Sequence, residues 1–418
     1  MADKGESLKY IQYKYRVEWS YNCTADNEEY PLLSNQLHFM LIDKFFDKMN
    51  MPTIFIETNI DKNMLDKMIQ GQDDDTIFLS LSKYDVDDPS GVAIECFKKR
   101  FIYMINTDDT NYTKNYDYDD EEDKERKDIY IKTTLGLLDY ELIRNNQIVN
   151  YGVFDGSIVD GIRIETFKMI DVVHRYTKHM KTLIEPMDNT MLDQVPISPV
   201  STVSKVLEQL DTFRTFYNTP YRFFMDFDKS YILSSSGKPV PAIDDDIMTI
   251  ICNIIDAEVP EDQGIAIDTK NKCYVFNVNS KFTSYEANRT TNKVATNINT
   301  VTGVGELSDN NLLKNAKENV NVGVKNSQLI RIRNFNENKT NTMLYDIDAN
   351  QFKFLIKKAH VDIDVFRINK EFYVNNHDSK SEFDGKFIIS RLQEYYSFEE
   401  NELVLMLSIY LKKIDKNK

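Results

Sequence analysis

The stretch that decides the fold is Ser201–Pro241, with the sequence STVSKVLEQLDTFRTFYNTPYRFFMDFDKSYILSSSGKPVP. Its first part repeats apolar residues at helical spacing, at Val203, Val206, Leu207, Leu210, Phe213 and Tyr217. Pro220 disfavours the helical conformation in the residue before it and therefore ends that helix. Two strand-like runs follow, Tyr221–Phe227 and Ser230–Ser234. The stretch predicts a helix that leads into a β-hairpin, and none of its residues resembles a reactive centre.

The rest of the chain has the composition of a globular protein rich in strands. Its 418 residues are 41% hydrophobic and 12% aromatic, with 24 Tyr and 24 Phe against 13 Gly and 10 Pro. Aromatic side chains suit the half-buried surface of a sheet. A chain of this length is expected to contain two to four compact units, and the predicted fold class is a β-rich α+β protein.

The charge balance is acidic, with 67 Asp and Glu against 51 Lys and Arg and a formal net charge of −16. A protein that wraps nucleic acid needs clustered Lys and Arg to neutralise phosphates, so this class is excluded. An acidic surface repels DNA, which is useful only where DNA must slide past without binding.

The cysteine pattern and the N-terminus indicate a reducing cytosol and no membrane association. Cys23, Cys96, Cys252 and Cys273 are scattered without a Cys-x-x-Cys pair, which favours buried free thiols over disulfides or a zinc site. The first residues lack the apolar core of a signal peptide, and no apolar run reaches the ~18 residues of a membrane span.

Composition and patterning divide the chain into six predicted regions. In the first region, Asp61 is placed to cap a short helix and Gly71 to end it, whereas Leu33–Met49 fits either a helix or a strand. Ile129–Ile148 is predicted as strand-like runs with a turn at Asn145-Asn146. The regions are 1–106, a β domain; 107–128, an acidic surface insertion; 129–200, a connecting α+β region; 201–287, the helix and hairpin of a second unit; 288–327, a polar linker; and 328–418, a C-terminal β-rich domain.

The acidic insertion, residues 107–128, contains ten acidic and four basic residues and no aliphatic side chain. Such a segment cannot bury enough apolar surface to offset its ordering entropy. A calcium loop of the EF-hand type requires a glycine and a bidentate glutamate at fixed positions, and the segment lacks that pattern.

Candidate catalytic groups are few. His174 and His179 are five residues apart and not the four that place two metal ligands on one helical face. Asp226 and Asp228 form an Asp-x-Asp pair on the predicted strand, which fits either a divalent metal or the solvated face of a hairpin. The sequence lacks nucleophile-elbow, Walker and dinucleotide motifs.

The run LEQLDTFRTFYNTPYRFFMDFDKSYILSSSGKPVP resembles the baseplate hub proteins of contractile-tailed bacteriophages. Those proteins carry a helix, a strand similar to TPYRFFMDF and a serine-rich turn similar to YILSSSG in the same order. MPTIFIETNIDKNMLDKMI, FRINKEFYVNN and DGKFIISRLQEYYSFEENELVLMLSIYLKKI are compatible with the same family.

The resemblance implies two tube-like β-barrel domains in each chain and a homotrimer that forms a pseudo-sixfold ring. Such a ring connects the hexameric tail tube to the trimeric central spike and initiates tube assembly. The implied partners are the tube, spike and wedge or tape-measure proteins, with DNA passing only transiently through the lumen. The implied location is the tail baseplate of the virion, after assembly in the host cytoplasm. No cofactor or catalytic residue is implied, and any wall-degrading activity is expected in a partner.

Under this resemblance the hairpin supplies the expected interface positions, Tyr221, Phe223, Asp226, Asp228 and Tyr231. They lie on a ring-forming strand that faces a neighbour or the lumen. Two alternatives remain at this point. One is a carbohydrate-binding tail protein that uses exposed aromatic side chains. The other is a metal-dependent hydrolase that uses Asp226, Asp228 and one of the two aspartate triplets, Asp73–Asp75 or Asp244–Asp246.

Overall fold

The computed structural model describes residues 9–287 and 350–413. Within these ranges 107–129 and 235–248 are excluded, together with interruptions of one to seven residues. The predicted acidic insertion and polar linker therefore lie outside the described residues.

The described residues form a protein made mainly of strands. The first part contains β1 (Lys9–Ile11), β2 (Tyr13–Cys23), β3 (Glu28–Leu32), β4 (Leu37–Phe45), β5 (Thr53–Asp61), β6 (Thr76–Asp85), β7 (Ile94–Asn106) and β8 (Tyr130–Asp139). The middle contains β9 (Gly152–Phe154), β10 (Ile158–Val159), β11 (Ile162–Arg163), β12 (Phe167–Lys168), β13 (Thr182–Ile184), β14 (Met191–Leu192), β15 (Val195–Ile197), β16 (Tyr221–Met225) and β17 (Ser230–Ser234). The last part contains β18 (Thr249–Ile255), β19 (Ile265–Asp268), β20 (Cys273–Asn279), β21 (Thr283–Ala287), β22 (Asn350–Ile356), β23 (Glu371–Asn376), β24 (Gly385–Glu399) and β25 (Glu402–Lys413).

The described residues also contain α1 (Lys62–Ile69), α2 (Tyr140–Asn146), α3 (Met169–Thr177) and α4 (Val203–Phe213). The fold is a β-rich α+β fold, as predicted.

Helix α1 confirms the capping expected from the sequence. The Asp61 carboxylate accepts hydrogen bonds from the backbone N–H groups of Asn63, at 2.9 Å, and Met64, at 3.3 Å. These bonds satisfy donors that the first helical turn leaves without partners. Gly71 follows the C-terminal cap, Gln70. A methyl group on Gly71 would lie 2.6 Å from the Asp75 carboxylate, so close packing favours glycine there.

Helix α2 corrects the prediction of strand-like runs up to a turn at Asn145-Asn146. The chain leaves β8 at Asp139, whose carboxylate accepts hydrogen bonds from the N–H groups of Glu141 and Leu142 at 2.8 and 3.0 Å. This side-chain cap starts a helix in place of a continued strand. Strand β8 itself lies between β5 and β7 in the sheet. The predicted region boundaries stay a prediction, but this strand pairs with those of the first region.

Most of the strands belong to one large sheet. Its order is β1-β19-β20-β18-β23-β24-β4-β5-β8-β7-β6-β2-β3, and β25, β22 and β21 continue from β24. Strands β2 to β8 form a first sheet unit, and β18 to β25 form a second unit that joins it through the β24–β4 pair. Alternate residues of the strands point into one apolar core, the first core, which contains Ile56 and Leu79 of the first unit and Phe372 and Leu407 of the second.

The hairpin of β16 and β17 lies between two cores. Every residue of β16 is buried. Tyr221 and Phe223 point into a second core, which also contains the apolar face of α4, whereas Phe224 on the opposite side belongs to the first core. Because successive strand residues point to opposite faces, a hairpin that is apolar on both faces can join two apolar layers.

Candidate functional site

The feature that joins the two sheet units is strand β24. Its first residues pair with β23 of the second unit, and Arg391–Ser397 pair with β4 of the first unit. A β-bulge between Ile389 and Arg391, in the pairing with β25, marks the change of partner on the other edge, while β25 pairs with Phe387–Glu399. A bulge bends a strand and increases its twist, which allows one strand to serve two units. We call the β4–β24 pair and the side chains that bridge the two units the seam.

A bidentate ion pair lies on the outer face of the seam. The guanidinium of Arg391 donates to the Asp43 carboxylate at 3.0 and 2.6 Å. Gln393 also donates to Asp43, at 3.1 Å, and accepts hydrogen bonds from the hydroxyls of Tyr395 and Tyr410 at 3.0 and 3.1 Å. Bidentate charge-assisted bonds are strong and directional, so this network sets the register of β24 against β4.

A buried ionic cluster lies on the inner face of the seam. The ammonium of Lys44 is 3.2 Å from Glu394 and 3.7 Å from Asp226, and its side chain is only 15% exposed. Burial alone disfavours the charged form of Lys44, but the two carboxylates outweigh it and raise the pKa of Lys44 above its usual range. The Tyr396 hydroxyl donates to Glu394 at 2.9 Å. The cluster connects β4, β24 and the hairpin turn.

A second set of ion pairs and hydrogen bonds connects β2 and β6 with the segment before β23. The Lys83 ammonium is 2.5 Å from both Asp362 and Asp364, and these carboxylates raise its pKa against the opposing effect of burial. The Tyr15 hydroxyl donates to the Val361 carbonyl at 2.5 Å and accepts from the Ile363 N–H at 3.0 Å. The two sheet units are thus held together by polar contacts as well as by the sheet.

A half-open cavity of about 350 Å³ lies where the first unit, the second unit and the hairpin meet. Its lining includes Lys44, Cys96, Asp226, Arg367 and Glu394. Desolvation by burial raises the pKa of the Cys96 thiol to about 12, so this cysteine is not an activated nucleophile. Three of the charged groups that line the cavity, Lys44, Asp226 and Glu394, pair with each other across the seam, which is the arrangement of a structural junction.

The structure places the predicted interface residues as follows. Tyr221 and Phe223 are 3% and 1% exposed, and their side chains lie in the second core. Tyr231 is half-buried and stacks on Phe224 with ring centres 4.8 Å apart. Asp228 lies outside the described residues. Their assignment to a subunit interface stays a prediction.

Asp226 does not lie on a strand. Strand β16 ends at Met225, and the Asp226 N–H donates to the Lys229 carbonyl at 2.7 Å within the hairpin turn. The prediction that Asp226 belongs to an Asp-x-Asp pair on one strand face is therefore wrong. Its carboxylate accepts from the Phe227 N–H at 2.9 Å and faces Lys44.

The described residues contain neither a candidate metal site nor a membrane-spanning helix. No group of three or more His, Cys, Asp or Glu side chains there could hold a metal ion. His174 lies on α3, and His179 follows its end. In that part of the chain no helix is long and apolar enough to cross a bilayer.

Sequence reasoning missed the seam. Its residues lie about 350 positions apart, at Asp43 and Arg391, and a single sequence contains no signal that pairs them. The local signal was present in β4, where Phe39, Leu41 and Asp43 alternate with buried Met40 and Ile42, a two-residue period that indicates a strand.

The fold and the seam define a β-rich protein in which two sheet units are fused within one chain. A family model described as the bacteriophage PBS1 gene 109 protein matches residues 13–414, almost the whole chain. The chain therefore belongs to the family of the bacteriophage PBS1 gene 109 protein. No curated protein shows a significant sequence match to it.

Solved structures with a similar course of the chain include two described as tail proteins. The 43 kDa tail protein of prophage MuSo2 from Shewanella oneidensis is 10% identical, with a TM-score of 0.43, over 96% of this chain and 98% of that one. A tail protein from Neisseria meningitidis MC58 is 9% identical, with a TM-score of 0.45, over 96% of each chain.

A third is the E. coli c3393 protein, described as a type VI secretion component structurally similar to the phage T4 tail proteins gp27 and gp5. It is 5% identical, with a TM-score of 0.41, over 91% of this chain and 74% of that one.

Proposed function

We propose that this chain is a structural subunit of a bacteriophage tail, the hub of its baseplate. Three copies form a pseudo-sixfold ring that connects the hexameric tail tube to the trimeric central spike and initiates tube assembly. Membership of a bacteriophage protein family supports a role in a phage. The resemblance of Ser201–Pro241 to hub proteins supports the position in the tail.

The observation that carries the proposal is the seam. A chain that supplies two of six positions in a ring must hold two β units at one fixed angle. In this chain a shared strand, β24, a bidentate ion pair and a buried ionic cluster connect the units. An ordinary contact between domains of one chain permits relative motion. A continuous sheet with a common core resists it.

The charge also suits a ring with a central channel. Three chains of −16 give a trimer of −48. A channel with negative walls repels the DNA backbone, so DNA passes without binding. The proposed partners are the tube, spike and wedge or tape-measure proteins, and the proposed location is the virion.

The test is the assembly state of the purified chain, alone and with the tube and spike proteins of the same phage. Light scattering coupled to gel filtration and native mass spectrometry are expected to show a trimer, about three times the 48.9 kDa of one chain. The tube protein is expected to polymerise faster from this trimer than alone. A chain that stays monomeric at every concentration, with and without both partners, contradicts the proposal.

A further inference from the structure

The loop between β6 and β7 presents three exposed aliphatic side chains. Val86, Val92 and Ile94 are 43%, 64% and 48% exposed. We call this loop the β6–β7 tip. Its acidic residues, Asp87 and Asp88, are also exposed. These three positions lie within nine residues of each other, and Ile94 is the first residue of β7. Isolated exposed aliphatic side chains are common, whereas several close together mark contact sites.

Hydrogen bonds connect the described residues of the tip with each other. The Asp88 carboxylate accepts from the Ser90 N–H at 2.9 Å and from its hydroxyl at 2.7 Å. The Gly91 N–H donates to the Asp88 carbonyl at 3.1 Å, and Gly91 has a φ of 59° that glycine adopts without strain. A loop that is already ordered loses little entropy when it docks.

A second exposed apolar surface lies at the other end of β7, the strand that follows the tip. Phe55 and Met104 are 42% and 61% exposed, and Gly136 stands between them in register. A methyl group on Gly136 would meet Met104 at 3.6 Å and Phe55 at 3.9 Å, so both side chains lie over this glycine. On the same face of β7, Lys98 and Arg100 are exposed. We call this basic and apolar surface the outer patch.

The outer patch continues across the seam. Six strands contribute one row of facing residues: Met104, Gly136, Phe55, Leu41, Tyr395 and Met406. On the two neighbouring rows the charged residues are Asp43, paired with Arg391, and Glu57, paired with Lys132. Six strands and three rows cover about 600 Å² of sheet. Asp43, Gln393 and Ser408 in these rows are buried within the chain. A standard interface buries about 800 Å² on each partner, so this face supplies a part of such a contact.

The tip and the outer patch cannot cover each other within one chain. Ten residues of β7 separate Ile94 from Met104, which places them about 33 Å apart. They are complementary in character, since the tip is apolar and acidic and the patch is apolar and basic. A contact between two different surfaces of identical chains closes into a ring when the rotation allows it.

We propose that the β6–β7 tip of one chain docks on the outer patch of the next chain and so closes the ring. Val92 and Ile94 pack against Phe55 and Met104, and Asp87 faces Arg100. This inference rests on the proposed trimer and adds the surfaces that form it.

The first experiment places a charge in each surface of the full chain. Val92→Asp and Met104→Glu are each expected to raise the concentration of half-assembly at least tenfold, because each buries a charge against apolar atoms. Both positions are exposed, so circular dichroism and the melting temperature of the monomer should not change. Native mass spectrometry measures the assembly.

The second experiment exchanges charges between the surfaces. Asp87→Lys and Arg100→Glu are each expected to weaken assembly about tenfold, and the two together in one chain to restore it to within about threefold. Glu399→Lys, a matched reversal at the exposed last residue of β24, should leave assembly unchanged. In an equimolar mixture of the two single variants every contact between unlike chains is charge-matched. A ring of three then contains only one mismatched contact, so the mixture should assemble more readily than either variant alone.

The outcomes separate this inference from the proposed function. A wild-type chain that never trimerises overturns both. A wild-type trimer that all four single variants leave intact overturns only the docking surfaces and assigns the exposed outer patch to the tube or spike protein. Loss of assembly without rescue by the double exchange contradicts the Asp87–Arg100 contact.

Discussion

At the scale of single residues, the clearest stabilising group is the buried carboxylate of Asp75. It accepts hydrogen bonds from the Tyr21 hydroxyl at 2.7 Å, the Thr24 N–H at 2.8 Å and the Gln72 N–H at 3.0 Å. Burial alone raises the pKa of a carboxyl, but these bonds dominate and lower the pKa of Asp75 below its usual range. The carboxylate fastens the loop before β6 to the end of β2.

We expect Asp75→Asn to lower the free energy of unfolding by about 2–3 kcal/mol. The asparagine NH2 group would face N–H and O–H donors that now bond to the carboxylate, so buried donors would lose their acceptor. The pKa of Asp75 is lower in the folded chain, so its contribution is full above the unfolded value and is lost as the pH falls through the folded value. The difference between wild type and variant should therefore shrink below about pH 4. Urea titrations at several pH values measure it, with the exposed neighbour Asp74→Asn as control. An equal difference at pH 7 and pH 3 contradicts this account.

Ion pairs between the two sheet units, one set buried and one exposed, show whether burial or the N–O distance decides how much an ion pair stabilises the fold. Lys44→Met removes the cation from between Asp226 and Glu394 and should cost about 3–5 kcal/mol of stability, since buried carboxylates are left unpaired. Lys14→Met breaks the shorter pair with Glu402, at 2.7 Å, whose side chains are 30% and 61% exposed. It should cost less than about 1 kcal/mol. Chemical denaturation compares the two variants, and equal costs would show that burial is not the deciding factor.

At the scale of elements, the hairpin of β16 and β17 is the connection between the two cores. The sequence predicted both strands and the preceding helix, and the structure contains all three. It differs at the ends, because α4 stops at Phe213 and Tyr217 lies beyond it. The Tyr217 hydroxyl donates to the carbonyls of Glu185 and Ile232 at 2.9 and 3.1 Å.

We expect Phe224→Ala to destabilise the chain by about 3–5 kcal/mol, since it empties a fully buried ring site in the first core. Tyr373→Ala is the matched control, because this strand aromatic is 40% exposed and its removal leaves little cavity. Thermal unfolding of both variants at one protein concentration tests the prediction. Similar melting temperatures would mean that the hairpin does not connect the cores.

At the scale of the whole molecule, the continuous sheet and the shared first core predict one cooperative unfolding transition for the two units. Trp19, the only tryptophan, lies in β2 of the first unit, and its ring is 4% exposed. Its fluorescence reports on the first unit, whereas far-ultraviolet circular dichroism reports on both. The two signals are expected to coincide across a urea titration. A fluorescence change that clearly precedes the dichroism change would show that the units unfold independently.

What the sequence predicted well are features with short-range causes. The cap at Asp61 and the hairpin of β16 and β17 both depend on neighbours a few residues away. The prediction of buried thiols agrees with Cys23, Cys252 and Cys273, while Cys96 is half-buried. The strand prediction failed at Tyr140–Asn146, where the cap formed by Asp139 outweighs the apolar pattern.

By itself the sequence determined the class of the protein: β-rich, acidic, and built around the helix and hairpin of Ser201–Pro241. Only the tertiary structure shows that β24 pairs with β4, that Asp226 forms an ion pair with Lys44, and that Tyr221 and Phe223 lie in the second core. The physical reason is that strand pairing and burial of charge depend on which surfaces meet, and residues hundreds of positions apart carry no local sign of their partners. The stretch that decides the fold therefore acts here as the layer between two cores, and the seam beside it holds the two units together.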